Sequence, residues 1–174
     1  MSATALVIID MLNDFVLPGA PLEVPAARDI LPALKQRLDQ ARQDGMPVLY
    51  VCDAHDPDDR EFARMGWPPH AVRGTRGAEV VAELRPLPNE PVIAKTSYSG
   101  FHDTDLDATL KKLGVEELIL TGCVTSICVL YTAADAVMSG YRVTVPADCV
   151  APLDPQDGAF ALKQMRTVLG VNVV

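Results

Sequence analysis

Apolar residues along the chain come in short continuous runs, separated by longer stretches in which they recur every three or four positions. The continuous runs cover residues 6–9, 47–52, 91–94, 117–120 and 141–145, with a short one at 171–173. They show little polar alternation, which predicts strands covered on both faces. Between them, Ile30, Leu34, Leu38 and Ala41 fall on one helical face, and Gly45 follows as a stop. Thr104 and Asp107 form a capping-box pattern ahead of Leu106, Leu110 and Leu113. Ile127, Leu130, Ala134 and Val137 give a third stripe before Gly140, and Leu162, Met165 and Leu169 a fourth before Gly170. Strands alternating with helices predict an α/β fold in three layers. A central, mostly parallel sheet of about six strands carries helices on both faces. No repeat, low-complexity stretch or linker interrupts this alternation, so residues 1–174 read as one domain.

Composition narrows the picture modestly. The net charge of −8 argues against nucleic acid or an anionic membrane as the main partner. The apolar run at residues 5–9 is too short for a signal peptide or a membrane span, so a cytoplasmic location is expected. Cys52, Cys123, Cys128 and Cys149 match neither zinc-ribbon nor dithiol spacing, and reduced thiols follow from that location.

Doubly wound folds bind ligands outside the carboxyl ends of their strands. Polar residues do gather at those ends. Asp10 follows the first run and Lys95 the third. Taken alone, the first also reads as a loop or cap aspartate and the second as a solvated lysine. Asp53 and His55 follow the second run, and residues i and i+2 of an extended chain point to one side, where they can share an ion. His70 comes after a stiff Pro68-Pro69 pair. A carboxylate and two imidazoles suit zinc, iron or manganese and leave coordination positions open for water or substrate. The spacing is equally compatible with a loop-capping Asp53 and two solvated histidines.

The strongest chemistry lies in Thr121-Gly122-Cys123-Val124-Thr125-Ser126-Ile127-Cys128. A strand ending at Gly122, a tight turn and a helix starting near Thr125 would put Cys128 in a first helical turn. Free N–H groups and the dipole favour a thiolate there and could hold an oxyanion. The other three cysteines fit the ordinary role of small buried residues beside strands.

These segments, taken in order, resemble the isochorismatase-like cysteine hydrolases over nearly the whole chain. The matching stretches are Val-Ile-Ile-Asp-Met-Leu-Asn-Asp-Phe at 7–15, Asp53-Ala-His55, Trp67-Pro-Pro-His70 with Gly74-Thr75, Lys95-Thr-Ser-Tyr-Ser-Gly-Phe101 with Thr104-Asp-Leu106, and 121–129 with Thr132-Ala-Ala-Asp-Ala136. The resemblance implies a Rossmann-like hydrolase fold and a catalytic triad of Asp10, Lys95 and Cys128. It also implies a thioester mechanism, in which Asp10 takes the thiol proton and Lys95 keeps the local field positive. Backbone N–H groups of Val124 and Cys128 would form the oxyanion hole, with a cis peptide at Cys123–Val124. The nicotinamidase branch adds a metal held by Asp53, His55 and His70, with zinc expected and iron or manganese as alternatives. Phe15, Trp67 and Tyr98 would sandwich the substrate ring. Glu61 is the candidate for a further ligand that some members use. Cys123 departs from the family, where valine is frequent.

The implied function is hydrolysis of nicotinamide to nicotinate and ammonia for NAD salvage. A sibling amidase or ureidohydrolase acting on another small carbamoyl compound shares the triad but generally lacks the full metal set. A non-hydrolytic redox pair of Cys123 and Cys128 leaves Asp10, Lys95 and the metal-type residues without a role. The partner implied is a small-molecule amide, and homo-oligomerisation stays open.

Overall fold

A computed structural model describes residues 3–174. Seven strands form one sheet: β1 (Ala3–Ile9), β2 (Val48–Asp53), β3 (Val92–Lys95), β4 (Val115–Cys123), β5 (Arg142–Val145), β6 (Val150–Ala151) and β7 (Asn172–Val173). Their order is β3-β2-β1-β4-β5-β7, with β6 paired to the end of β4, and every pairing is parallel. The sequence expectation of about six strands missed β6. It is only two residues long, and Pro146 separates it from the apolar run of β5.

The central strand shows why its run is continuous. Ala5, Val7 and Ile9 belong to one apolar cluster and Leu6 and Ile8 to the other, so the period-two alternation is between two buried faces. The first cluster receives α5 (Leu106–Lys112), α6 (Leu130–Met138) and α7 (Pro155–Thr167). The second receives α3 (Leu31–Gln43) and the short α2 (Ala26–Asp29). The short α1 (Asn13–Val16) and α4 (Arg60–Met65) stand at the carboxyl edge. In α3, Pro32 sits in the first turn, Leu34, Leu38 and Ala41 are buried, and Gly45 follows at φ +66°. Burying Leu34 and Leu38 contributes roughly 1.5–3 kcal/mol each.

Two local expectations give way to tertiary packing. No capping box forms at α5. Thr104 Oγ1 does accept the Leu106 N–H at 3.2 Å, but the Asp107 carboxylate pairs with Lys111 and accepts the Tyr141 hydroxyl at 2.8 Å. The third stripe is rotated. Residues Thr125–Val129 form a π-turn ahead of α6, and the buried face runs through Thr125, Cys128, Val129, Thr132, Ala133 and Ala136. Ile127, Leu130 and Val137 are left partly buried at its flank. One added residue in a turn shifts the whole face, and an α-helical period cannot anticipate it.

The chain lays down β1, β2 and β3 outward, then returns to place β4 against the other side of β1. This reversal is the topological switch point, and the carboxyl ends of β1 and β4 open a crevice there. Gly122 makes the close approach feasible. It holds φ +106°, and a Cβ on it would lie 1.9 Å from the Ile9 carbonyl oxygen.

Candidate active site

Asp10 leaves β1 in the left-handed region at φ +51°, its N–H held by the Val51 carbonyl at 2.9 Å. This costly conformation turns the side chain back over the sheet edge, where Oδ1 accepts the Asp53 N–H at 2.7 Å. Lys95 and Asp53 are direct neighbours across β2 and β3. The Lys95 ammonium lies 2.8 Å from Asp10 Oδ2, hydrogen bonds to Asp53 Oδ1, and stands 3.5 Å from Cys128 Sγ. All four side chains are buried, so the structure brings Asp10, Lys95 and Cys128 together in one desolvated cluster.

The electrostatics assign distinct states. Burial alone would discharge Lys95, but Asp10 and Asp53 outweigh it and hold the ammonium well above its usual range. Burial and then the Asp53 charge push Asp10 up to about 6, against the pull of Lys95. Burial also drives the Cys128 thiol well up, with Lys95 opposing. Cys128 lies inside the π-turn and is buried, so loss of hydration is the largest influence on its thiol. The Cys123–Val124 peptide is cis, and Val124 and Cys128 line the same pocket as Asp10.

Asp53, His55 and His70 present ligand atoms that all lie within 4.8 Å of one another, and all three residues are buried. His55 Nδ1 bonds to Asp59 Oδ2 at 2.9 Å and His70 Nδ1 to the Pro68 carbonyl at 2.9 Å. With the outer nitrogen of each ring occupied, Nε2 is left for a metal, the usual support of ligating imidazoles. His55 Nε2 is buried without a hydrogen-bond partner; Glu61 Oε2 at 3.5 Å and Asp53 Oδ2 at 3.7 Å are nearby carboxylate oxygens. An orphaned buried nitrogen facing carboxylates fits a cation. Burial works to lower the His55 pKa, yet Asp53 and Asp59 raise it to about 9.

A pocket opens over both groups, reaching Asp10 and Cys128 on one side and Asp53 and His70 on the other. Phe15, Trp67 and Tyr98 all line it, as do Glu61 and His70. Phe15 and Trp67 flank the His70 ring at centroid distances of 5.5 and 6.0 Å, and Tyr98 stacks on Tyr131 at 5.7 Å. Sequence reasoning missed Asp59 and Phe62. Phe62 packs on both imidazoles, at 5.3 and 5.0 Å. Asp59 caps α4 by accepting the Glu61 N–H, a signal legible as Asp-x-Glu-Phe before a helical turn. The aliphatic wall of Leu22, Val24 and Leu153 comes from loops and gave no sequence signal.

Residues 4–173 match the isochorismatase domain. The chain belongs to the isochorismatase family. Three solved structures similar to this chain indicate the range. A pyrazinamidase/nicotinamidase from Streptococcus mutans is 32% identical with a TM-score of 0.92, covering 99% of this chain and 100% of that one. An N-carbamoylsarcosine amidase from Thermoplasma acidophilum is 37% identical with a TM-score of 0.88, covering 98% and 95%. A pyrazinamidase of Pyrococcus horikoshii, in complex with zinc, is 33% identical with a TM-score of 0.90, covering 98% of each chain. Isochorismatase-family membership makes the chain an amidohydrolase. Among the described residues no helix is long and apolar enough to cross a membrane.

Proposed function

We propose that the protein is a nicotinamidase that works through a thioester on Cys128. The observation that carries this reading is the cluster of Asp53, His55 and His70, with a buried His55 Nε2 that makes no hydrogen bond among the described residues, set beside Cys128 in a pocket walled by aromatic rings. Asp53, His55 and His70 would hold the metal, which would supply a Lewis-acidic anchor for a pyridine ring nitrogen.

Phe15, Trp67 and Tyr98 hold the flat ring and leave the carboxamide over the sulfur, which converts attack into a local event. Asp10, with a pKa of about 6, is matched to accept the thiol proton near neutral pH. The Cys128 sulfur bonds to the amide carbon while the carbonyl oxygen gains charge, and the N–H groups of Val124 and Cys128 stabilise that oxyanion. The C–N bond breaks as Asp10 returns its proton to the leaving nitrogen, giving ammonia and the thioester. Water then attacks the thioester carbon, Asp10 takes a proton from it, and the sulfur leaves and is reprotonated. Nicotinate departs. Lys95 stays charged throughout and offsets the carboxylates on either side.

Charge also separates this reading from a carbamoyl-acid substrate. The pocket is lined by Asp10, Asp53 and Glu61 and by no arginine or lysine among the described residues, while Lys95 is engaged by two aspartates. Within that lining a substrate carboxylate would face carboxylates, and the nearby Arg64 at the rim is shared with Glu61 and Tyr98. The test is ammonia release from nicotinamide beside N-carbamoylsarcosine and neutral ureido compounds, with and without chelation. Nicotinamide should be preferred, chelation should reduce its turnover, and Cys128→Ala should abolish it in a folded protein. Preference for a ureido compound, or full nicotinamide turnover after chelation, would sink the proposal.

A further inference from the structure

The segment that supplies Asp10 also supplies Asp14, which has no part in the reaction steps above. Asp14 lies in α1 and is not among the residues lining the pocket. Its Oδ2 accepts the backbone N–H of Ala71 at 2.8 Å. Ala71 directly follows His70, is fully buried and holds φ +45°, a conformation an alanine keeps only where its surroundings over-determine it. The Ala71 carbonyl in turn accepts the His55 N–H at 3.0 Å, and the Arg73 N–H reaches the His55 carbonyl at 2.9 Å. Residues 71–73 thus lie along His55 as a short parallel bridge. One residue therefore joins the backbones of both histidines, and Asp14 is the side chain that grips it. Gly77 leaves room for that grip, since a Cβ there would lie 2.1 Å from Asp14 Oδ2 and 2.3 Å from its Cγ.

We propose that Asp14 is a positioning residue for the metal centre. It fixes the Ala71 peptide and so sets His70 against His55, without touching metal or substrate. This inference rests on the metal reading given above. The Cys128 half of the site is held by Lys95 with Asp10 and Asp53, shares only Asp53 with the metal half, and makes no contact with Asp14 or Ala71 through these bonds. Loss of the Asp14 grip should therefore weaken metal binding and spare the thiol.

The experiment titrates the metal-free chain with Zn²⁺ against a chromophoric chelator, alongside iodoacetamide labelling of Cys128 and a thermal melt. Asp14→Ala should weaken zinc about 10–100-fold, the range for outer partners of metal ligands, with Cys128 labelling at the wild-type rate. Asp14→Asn keeps an oxygen that can accept the Ala71 N–H and should restore most of the affinity. Gly77→Ala leaves Asp14 in place but displaces its carboxylate, and should reproduce the zinc loss. Unchanged zinc affinity in Asp14→Ala overturns the proposal. So does a loss in which zinc binding, labelling and melting temperature fall together and Asp14→Asn rescues none of them. Failure of the wild-type chain to bind zinc would instead defeat the metal reading itself, and this one with it.

Discussion

Replacing Lys95 by methionine removes the cation between Asp10 and Asp53 and leaves two buried carboxylates facing each other. Methionine matches the length of the stem, so packing is largely kept and the change is mainly electrostatic. Breaking a buried ion pair by deleting one partner costs about 3–5 kcal/mol. At roughly 2–4 °C per kcal/mol for a chain of this size, the melting temperature should fall by about 6–20 °C. The measurement is thermal unfolding at pH 8 of chelator-treated protein, since a metal on Asp53 would itself neutralise one charge. Adding Asp53→Asn to the Lys95→Met background removes one of the opposed charges and should recover part of the loss, with a coupling of about 0.5–3 kcal/mol. The penalty should also depend on pH. Asp10 is raised to about 6 even beside Lys95 and rises further without it. The folded form then holds a proton that the unfolded chain, with a carboxyl pKa of about 3.9, releases. Stability should therefore recover as pH falls from 8 to 5. A wild-type melting temperature for Lys95→Met, or strictly additive losses in the double variant, would refute the ion-cluster account.

Asp10→Asn keeps an acceptor for the Asp53 N–H but cannot take the thiol proton, so iodoacetamide labelling of Cys128 at neutral pH should slow by about tenfold or more. Peptide mapping must separate Cys128 from the three other buried thiols, and an unchanged rate removes Asp10 from its role. Gly122→Ala forces a Cβ into the Ile9 carbonyl, backbone against backbone, and should cost roughly 3 kcal/mol or more in urea unfolding. Wild-type stability in that variant would mean that β1 and β4 can part at the crevice without penalty.

The layered architecture was legible because its central strands are buried on both faces and so read as unbroken apolar runs, as in Val48–Asp53, whereas β3 exposes Val92 and Ala94 and β5 exposes Arg142. Chemistry at strand ends was legible too, because Asp10, Asp53 and Lys95 each interrupt such a run at its carboxyl end. What escaped depends on contacts between distant segments. Asp14 grips Ala71 across the chain, and Phe62 packs on two histidines from a six-residue helix, neither of which leaves a periodic trace. The stripe through Ile127 and Leu130 was misplaced for a local reason, the π-turn that carries Cys128.

Asp53 divides its two oxygens between neighbours: Oδ1 bonds to Lys95, and Oδ2 faces His55 at 3.7 Å. The carboxylate therefore has a reason to be inherited whether or not a metal is used. A lineage abandoning the metal could let both imidazoles drift and still need the aspartate to balance its lysine. An aspartate at this position in a relative is accordingly a poor marker of metal dependence, and the two histidines are the informative ones. The reverse path is short as well. If the proposed metal is held there, a metal-free chain with this lysine cluster would already have the aspartate in place, and two histidines on nearby loops would complete the set.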